Sequence, residues 1–269
     1  MPGHGLNFQR REKKNLSHSL SELRTSFNML CSVLLLLSVS SLAVPCYDVT
    51  DVASCGVFVL KQQTSEQIMA LAAALQVKAT VKRGYGPEAS DEPYLTSLVI
   101  SESEVGDEGA AALAEAIRGS AKLQQLSLAS CGVGAAGATA IAAQIRLSSP
   151  LKWLVMNGNP IGDAGATALA RAMSSNTGIT ALFLTDAGCG DDGAVAFADA
   201  IKRNKGSALK ELDLSSNEIG DVGANALLGV LPKAATLNEL YLARNEKIGS
   251  AVLKTLSSTL KLKQAGGEL

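Results

Sequence analysis

The sequence predicts an α/β solenoid arc of about six strand-turn-helix repeats of 28 residues, closed by degenerate caps. The first observation is a fixed period in a short apolar pattern. Its first residues are spaced by 28, 28, 28, 30 and 28 positions, at Leu95, Leu123, Leu151, Ile179, Leu209 and Leu237. The second observation is a change within each unit from strand-like to helix-like spacing. A chain with such a period buries its apolar faces by stacking neighbouring units.

The strand of each repeat is the segment with apolar residues at offsets 0, 3 and 5 from that first position, as in LTSLVI and LKWLVM. Successive residues of a strand point to opposite faces, so these positions feed the core of the stack. The residues at offsets 1, 2, 4, 6 and 7 are therefore free to form the exposed sheet surface.

A glycine-containing turn and a helix complete each repeat, as in NPIGDAGATALARAM. Gly162 allows a sharp turn, and Asp163 is expected to accept hydrogen bonds from the first free amides of its helix. Gly165 stands where a side chain would meet the neighbouring repeat. Three other aspartates are expected to cap their helices in the same way: Asp107, Asp191 and Asp221.

The segments LKWLVMNGNPIGDAGATALARAM and LKELDLSSNEIGDVGANALLGVL resemble leucine-rich repeats of the ribonuclease-inhibitor type, which also occur in NLR receptors and Ran GTPase-activating proteins. The resemblance covers about Tyr94 to Leu260 and implies a leucine-rich-repeat solenoid arc. The family's asparagine at offset 8 is present as Asn159, Asn217 and Asn245. Other residues stand there in the remaining repeats: Ser103, Cys131 and Ala187. Because alanine has no hydrogen-bonding side chain, we expect a looser turn at Ala187.

The chain divides into four predicted parts. They are a basic segment (1–28), a hydrophobic segment (29–44), an N-terminal cap and loop (45–93), and the leucine-rich-repeat domain with its C-terminal cap (94–269). Thr64 and Gln67 have the spacing of a capping box, which indicates a truncated repeat as the N-terminal cap. At the other end, IGSAVLKTLSSTLKLK reads as a degenerate last unit.

The N-terminal pattern is typical of a signal for the secretory pathway. Basic residues precede an uncharged apolar run at positions 29–44, and Asp48 and Asp51 follow it. The run is shorter than the roughly 20 residues of a spanning helix, so a cleaved signal peptide and a signal anchor both remain open. The positive-inside rule then places the repeats in the lumen or outside the cell. A buried helix of a cytoplasmic protein is the alternative.

Composition excludes several classes of function. The formal net charge is −1 and no basic cluster follows residue 28, which argues against a nucleic-acid ligand. The two histidines, His4 and His18, precede the repeats, so histidine-dependent catalysis and histidine-bound zinc are excluded there. No CxxC pair is present, and Cys131 and Cys189 fit buried structural thiols. We therefore expect no catalytic residues, no metal site and no cofactor.

The segment Gly132–Gly137 matches the GxGxxG pattern of dinucleotide-binding loops, and Gly188, Gly190 and Gly193 match it again. Each match coincides with a repeat turn that carries one additional glycine. The strands that follow end without the acidic residue that would bind the ribose. We interpret both matches as turns of the solenoid.

The candidate site is the exposed sheet surface. At offset 4 stand Val99, Ser127, Val155, Phe183, Asp213 and Tyr241, and the single tryptophan, Trp153, stands at offset 2 one strand before Phe183. Because adjacent strands lie about 4.8 Å apart, we expect one contiguous strip of Trp153, Val155, Phe183, Asp213 and Tyr241. Aromatic anchors with a charged rim are typical of protein interfaces. The predicted rim comprises Lys152, Lys210, Glu211, Glu239 and Arg244.

The predicted function is a non-enzymatic, monomeric scaffold that binds a protein partner through the concave face of the arc. Two alternatives stay open. One is a regulator of an enzyme, of the inhibitor or GTPase-activating type, and the other is an NLR-like module of innate-immune recognition. Fold resemblance alone does not decide between them, because function resides in the site.

Overall fold

The computed structural model describes residues 57–81, 95–118, 122–145 and 150–264 of the chain. In these ranges the strands are β1 Val57–Lys61, β2 Ser97–Ser101, β3 Gln125–Ala129, β4 Trp153–Val155, β5 Ala181–Phe183, β6 Glu211–Asp213 and β7 Glu239–Tyr241. The helices are α1 Ser65–Val81, α2 Gly106–Ile117, α3 Ala135–Ile145, α4 Gly162–Met173, α5 Asp191–Arg203, α6 Asp221–Val230 and α7 Ser250–Gln264. A short 3-10 helix, Leu231–Lys233, follows α6.

The strands form one parallel sheet in which they follow one another in chain order. The register aligns equivalent residues of successive repeats, so that Leu126 pairs with Leu98 on one side and with Leu154 on the other. One strand and one helix per repeat, stacked in sequence, confirm the predicted α/β leucine-rich-repeat solenoid.

The core lies between the sheet and the row of helices. Strand residues at offsets 3 and 5 and helix residues at offset 18 fill it, and the helix residues are almost completely buried: Leu113, Ile141, Leu169, Phe197 and Leu227. Full burial of one such side chain contributes roughly 1.5–3 kcal/mol. Because every repeat covers its neighbour's core, this contribution depends on stacking.

The buried asparagines at offset 8 hold successive turns together. Asn159 Nδ2 donates to the carbonyl oxygens of Leu128 and Met156, at 2.6 and 2.9 Å. Its Oδ1 accepts from the amides of Cys131 and Val133, at 3.0 and 2.9 Å. Equivalent bonds to the preceding turn are made by Asn217 and Asn245. Each asparagine thus satisfies backbone groups that would otherwise be buried without partners.

The turn at Ala187 keeps the backbone conformation of the others, contrary to the expected loosening. Asp186 has φ of 53°, as does Ser130 at the equivalent position. The amide of Ala187 donates to Asn217 Oδ1 at 3.0 Å. The following repeat therefore fixes this turn, although Ala187 itself contributes no side-chain hydrogen bond.

The aspartates at the helix starts cap the helix of the next repeat, so the prediction that each caps its own helix is wrong. Asp163 Oδ1 accepts from the amides of Gly190 and Gly193, at 2.7 and 2.8 Å, whereas the N-cap residue of its own helix α4, Ile161, makes no side-chain cap. The two helices approach closely enough for these hydrogen bonds: a Cβ added to Gly193 would lie only 2.9 Å from the Cβ of Ala166. The same bonds link Asp107 to Gly134 and Gly137, Asp191 to Gly220 and Gly223, and Asp221 to Gly249.

Two further asparagines, which the sequence pattern did not single out, connect the helix ends. Asn176 Nδ2 donates to the carbonyl of Ile145 at the end of α3. Asn204 Nδ2 donates at 2.7 Å to the carbonyl of Met173 at the end of α4. Both bonds satisfy carbonyls that have no partner within their own helix. The sequence signal that could have identified them is their separation of 28 residues, which equals the repeat period.

The N-terminal cap contributes β1, so the described sheet has one strand more than the number of predicted repeats. The amide of Thr64 donates to Gln67 Oε1 at 2.9 Å, and the amide of Gln67 donates to Thr64 Oγ1 at 3.4 Å, which confirms the predicted capping box. The equivalent residues Gln63 and Ser103 are 40 positions apart. Because this spacing departs from the period of 28, the repeat pattern did not predict β1.

Several predictions fall on residues that the structure does not describe. The basic segment 1–28 and the hydrophobic segment 29–44 lie outside the described ranges. So do Cys46 and Cys55, which could form a disulfide if the repeats enter the secretory pathway. Among the helices within those ranges, none combines the length and the apolar character needed to cross a membrane. The boundaries of the N-terminal parts remain predictions.

Candidate protein-binding face

The outer face of the sheet consists of strand residues that alternate with the core leucines, and we call it the sheet face. The register arranges it in two parallel rows. The row at offset 2 is Val57, Ser97, Gln125, Trp153, Ala181, Glu211 and Glu239. The row at offset 4 is Val59, Val99, Ser127, Val155, Phe183, Asp213 and Tyr241.

The structure brings the predicted strip together. Phe183 pairs in register with Val155 on one side and with Asp213 on the other, and Asp213 pairs with Tyr241. Trp153 lies in the neighbouring row, in register with Ala181. Ala181 is only 3% exposed although it points outward, so its larger neighbours cover it. The strip is therefore continuous from β4 to β7.

On β1 to β5 the sheet face is mainly apolar, interrupted by Ser97, Gln125 and Ser127, and we call its apolar residues the apolar half. Trp153 is 43% exposed and Val57 is 50% exposed, while Phe183 is half-buried. The apolar half consists of Val57, Val59, Val99, Trp153, Val155 and Phe183. The two valines of β1 were missing from the predicted site because β1 itself was hidden in the sequence.

The other part of the sheet face is acidic, and we call Glu211, Asp213 and Glu239 the acidic end. Glu211 pairs in register with Glu239 across adjacent strands, which lie about 4.8 Å apart. Burial, followed by the charges of Glu239 and Asp213, raises the pKa of Glu211 above its ordinary value. Neither row contains a lysine or arginine, so the sheet face itself offers these carboxylates no compensating charge.

Tyr241 is tied to the acidic end. Its hydroxyl donates to Glu239 Oε2 at 2.6 Å. This hydrogen bond, together with burial and the charges of Glu239, Glu211 and Asp213, raises the pKa of Tyr241 to about 12. Asp213 Oδ1 accepts from the amide of Ser215 at 2.8 Å. Two of the three carboxylates are thus held in place by hydrogen bonds.

The predicted cationic rim residues do not lie together. Lys152 is half-buried, and its Nζ donates to the carbonyl of Gly178 at 3.2 Å. Lys210 is exposed and immediately precedes β6, whereas the exposed Arg244 follows β7 with φ of 58°. Lys210 and Arg244 therefore stand beyond opposite ends of the strands, at the margins of the sheet face.

The glycine-rich turns that resemble dinucleotide-binding loops already hold an anion of the protein itself. The amides of Gly134 and Gly137 donate to Asp107 Oδ1 at 2.7 and 2.8 Å. In a dinucleotide-binding loop, such amides at a helix start bind the pyrophosphate. Here the carboxylate of the preceding repeat takes that place, which supports the interpretation as a structural turn.

The two cysteines of the repeats are buried thiols. Burial raises the pKa of Cys131 to about 11 and that of Cys189 to about 12, the latter with a smaller contribution from the charge of Asp163. Such thiols are poor nucleophiles because little thiolate forms near neutral pH. Across the described ranges, no three side chains of the His, Cys, Asp or Glu type converge as a metal site would require.

Comparison with known families identifies the repeats. The family model described as "Leucine Rich repeat" matches residues 92–114, 119–142, 148–170 and 208–228. Each matched segment contains one strand and most of the helix that follows it. A search among curated proteins finds no match to the chain.

Three solved structures are similar to parts of the chain. The Leiomodin-1 Actin-Binding Site 2 structure is 15% identical and has a TM-score of 0.49. The match covers 57% of this chain and 88% of that one. The tropomodulin C-terminal domain of Caenorhabditis elegans is 10% identical (TM-score 0.42), with coverage of 74% of this chain and 98% of that one. The complex of Rad7 and Elc1 in yeast is 10% identical and has a TM-score of 0.33. The match covers 96% of this chain and 91% of that one. With TM-scores below 0.5, none of these similarities bears on function.

Proposed function

Because the chain is built from leucine-rich repeats, we propose that it is a non-enzymatic scaffold that binds a protein partner through its sheet face. The observation that carries the proposal is the exposed Trp153 beside Phe183 on a continuous strip of the sheet. Tryptophan and tyrosine are enriched among the residues that dominate binding energy at protein interfaces.

The proposed mechanism is binding to a preformed surface. The strands β4, β5 and β6 of the strip pair with a strand on each side, and β7 pairs with β6. The amide of Leu184 also donates to the carbonyl of Asp213 at 2.8 Å. A surface that is rigid before binding loses little conformational entropy when the partner docks. Repeat solenoids use their extended concave surfaces in this way.

Site-specific photo-crosslinking tests this proposal. A photo-crosslinking phenylalanine analogue replaces Tyr241 on the sheet face of the full chain or, as the matched control, Val222, which is 67% exposed at the start of α6. We expect a discrete protein adduct from position 241 and none from position 222. Trp153→Ala should weaken capture about 10-fold or more, as expected for an interface anchor. Equal adducts from both positions, or capture unaffected by Trp153→Ala, would contradict the proposal.

We further propose that the repeats lie in the lumen of the secretory pathway or outside the cell. Support comes from the basic residues of segment 1–28 that precede the apolar run at 29–44. The test is the N-terminal sequence of the full chain with a C-terminal tag, combined with membrane extraction and protease protection. Recovery of the intact N-terminus on a freely soluble cytoplasmic protein would overturn this localisation and favour a regulator of a cytoplasmic enzyme.

A further inference from the structure

We propose that the partner presents a basic residue next to an apolar side chain, so that the cation binds the acidic end while the apolar group packs on Trp153 and Phe183. This inference rests on the proposed function, because it specifies the chemistry of the partner that the sheet face would bind. It follows from the distribution of charge and apolar surface over the two rows.

The first step is the uncompensated charge of the acidic end. Glu211 and Glu239 are register partners, and Asp213 lies in the other row on the same strand as Glu211. These carboxylates repel one another: burial is the larger cause of the raised pKa of Glu211, and the charges of Glu239 and Asp213 add to it. A lysine or arginine of a partner would relieve this repulsion, and hydrogen bonds between ionised groups are about twice as strong as neutral ones.

The second step is the adjacency of the two halves. Trp153 and Glu211 occupy the same row and are separated by the single strand of Ala181. Two strand spacings of about 4.8 Å place the apolar and the charged side chains about 10 Å apart at their backbones. In an extended partner segment, that distance corresponds to about three residues. A cation that lies nearer to Trp153 would also interact with the indole face.

The third step separates this partner from other occupants. A second copy docked through the same face would meet the acidic end with carboxylates, apolar side chains or the neutral polar Ser97, Gln125 and Ser127, because the rows contain no lysine or arginine. Its Lys210 and Arg244 stand at the margins of that face. Nucleic acids and anionic lipid surfaces would be repelled by Glu211, Asp213 and Glu239. A cationic and apolar protein segment complements both halves at once.

The test is a selection of peptides by the full chain. A phage-displayed library of random linear peptides is selected on the immobilised protein, and enriched peptides are measured by fluorescence anisotropy at low and high salt. We expect enrichment of lysine or arginine about three residues from an apolar residue. The variant Glu211→Gln/Glu239→Gln should bind these peptides about 10-fold more weakly and with less dependence on salt.

The matched control carries the same change of charge away from the sheet. Glu108→Gln/Asp192→Asn alters two exposed carboxylates on α2 and α5 and should leave binding unchanged. Circular dichroism melting of each variant confirms that it is folded.

The outcomes distinguish the inference from the proposed function. Peptides that depend on Trp153 but bind equally well to the Glu211→Gln/Glu239→Gln variant would overturn the inference and leave the proposed function standing. Enrichment of acidic peptides would do the same. If no enriched peptide loses affinity in Trp153→Ala, both the inference and the proposed function are contradicted.

Discussion

At the scale of single residues, carboxylates act at two places with opposite effects on stability. Asp163 accepts two amide hydrogen bonds at the start of the next helix, so its charge is compensated by the positive end of that helix. Glu211 has like charges as neighbours instead. The same chemical group therefore stabilises the stack at one position and costs stability at the other.

Asp163→Ala should destabilise the protein by about 2–3 kcal/mol, because the amides of Gly190 and Gly193 lose their acceptor. The measurement is the shift of the urea unfolding midpoint. Asp192→Ala is the matched control, because this exposed aspartate lies in the first turn of α5, the helix that Asp163 caps. Its loss should change stability by no more than about 0.5 kcal/mol. Equal midpoints for the two variants would refute the inter-repeat cap.

Glu211→Gln should stabilise the protein at pH 7 by up to about 1 kcal/mol. The folded-state pKa of Glu211 is raised, so the folded protein binds its proton more tightly than the unfolded chain. Stability is therefore lost as the pH rises from the ordinary glutamate value through the raised one.

The gain from this substitution should vanish towards about pH 3, well below the ordinary glutamate pKa, where the wild-type carboxyl is protonated in both states. Urea unfolding of both proteins from pH 3 to pH 8 checks this dependence. Glu108→Gln, on the exposed surface of α2, should give no such gain. A constant difference between wild type and Glu211→Gln over the whole range would show that folding does not raise the pKa of Glu211.

At the scale of elements, the spacing between helices depends on a glycine in the first turn. A Cβ on Gly165 would lie 2.5 Å from Cγ2 of Ile161 and 3.0 Å from Cβ of Ala138. Ala138 belongs to α3, so the glycine sets how closely α3 and α4 approach. The same approach brings the aspartate of one helix over the amides of the next.

Gly165→Ala should cost about 1–3 kcal/mol, because the Ile161 side chain would have to shift and α3 and α4 would have to separate. Gly229 in α6 is the matched control, since a Cβ there meets nothing within 4 Å. Gly229→Ala should stabilise the protein by about 0.5–1 kcal/mol through the higher helix propensity of alanine. Thermal unfolding of both variants makes the comparison, and destabilisation by both would show that the effect is not one of helix packing.

At the scale of the whole molecule, stability is the sum of contacts between neighbouring repeats. The central strands have hydrogen-bonded neighbours on both sides, as β5 has β4 and β6. At the C-terminal end, α7 lies beyond the last strand, and most of its described side chains are exposed. Local opening should therefore be easiest at this end.

Hydrogen exchange should show this gradient along the solenoid. We expect the amides of Leu182 and Leu184 in the centre to exchange at least about 10-fold more slowly than those of Thr255 and Leu256 in α7. Mass spectrometry of overlapping peptides gives the measurement. Protection that is uniform from β4 to α7 would mean that the solenoid opens only as a whole.

The period of the sequence was sufficient to determine the repeats, the inward leucines and the rows of the sheet face. These features depend on local spacing, because alternate strand residues face opposite sides wherever the strand lies. Trp153, Phe183 and Tyr241 could therefore be placed on one surface from their offsets alone. β1 escaped detection because its distance from β2 departs from the period.

Only the tertiary structure decided which groups meet across repeats. The type and spacing of Asp163 fitted a cap of its own helix, but the distance between helices assigns its carboxylate to Gly190 and Gly193 instead. The acidic end likewise becomes a cluster only because the register places Glu211 beside Glu239. Local pattern fixes what each residue can do, whereas the packing of neighbouring repeats fixes its partner.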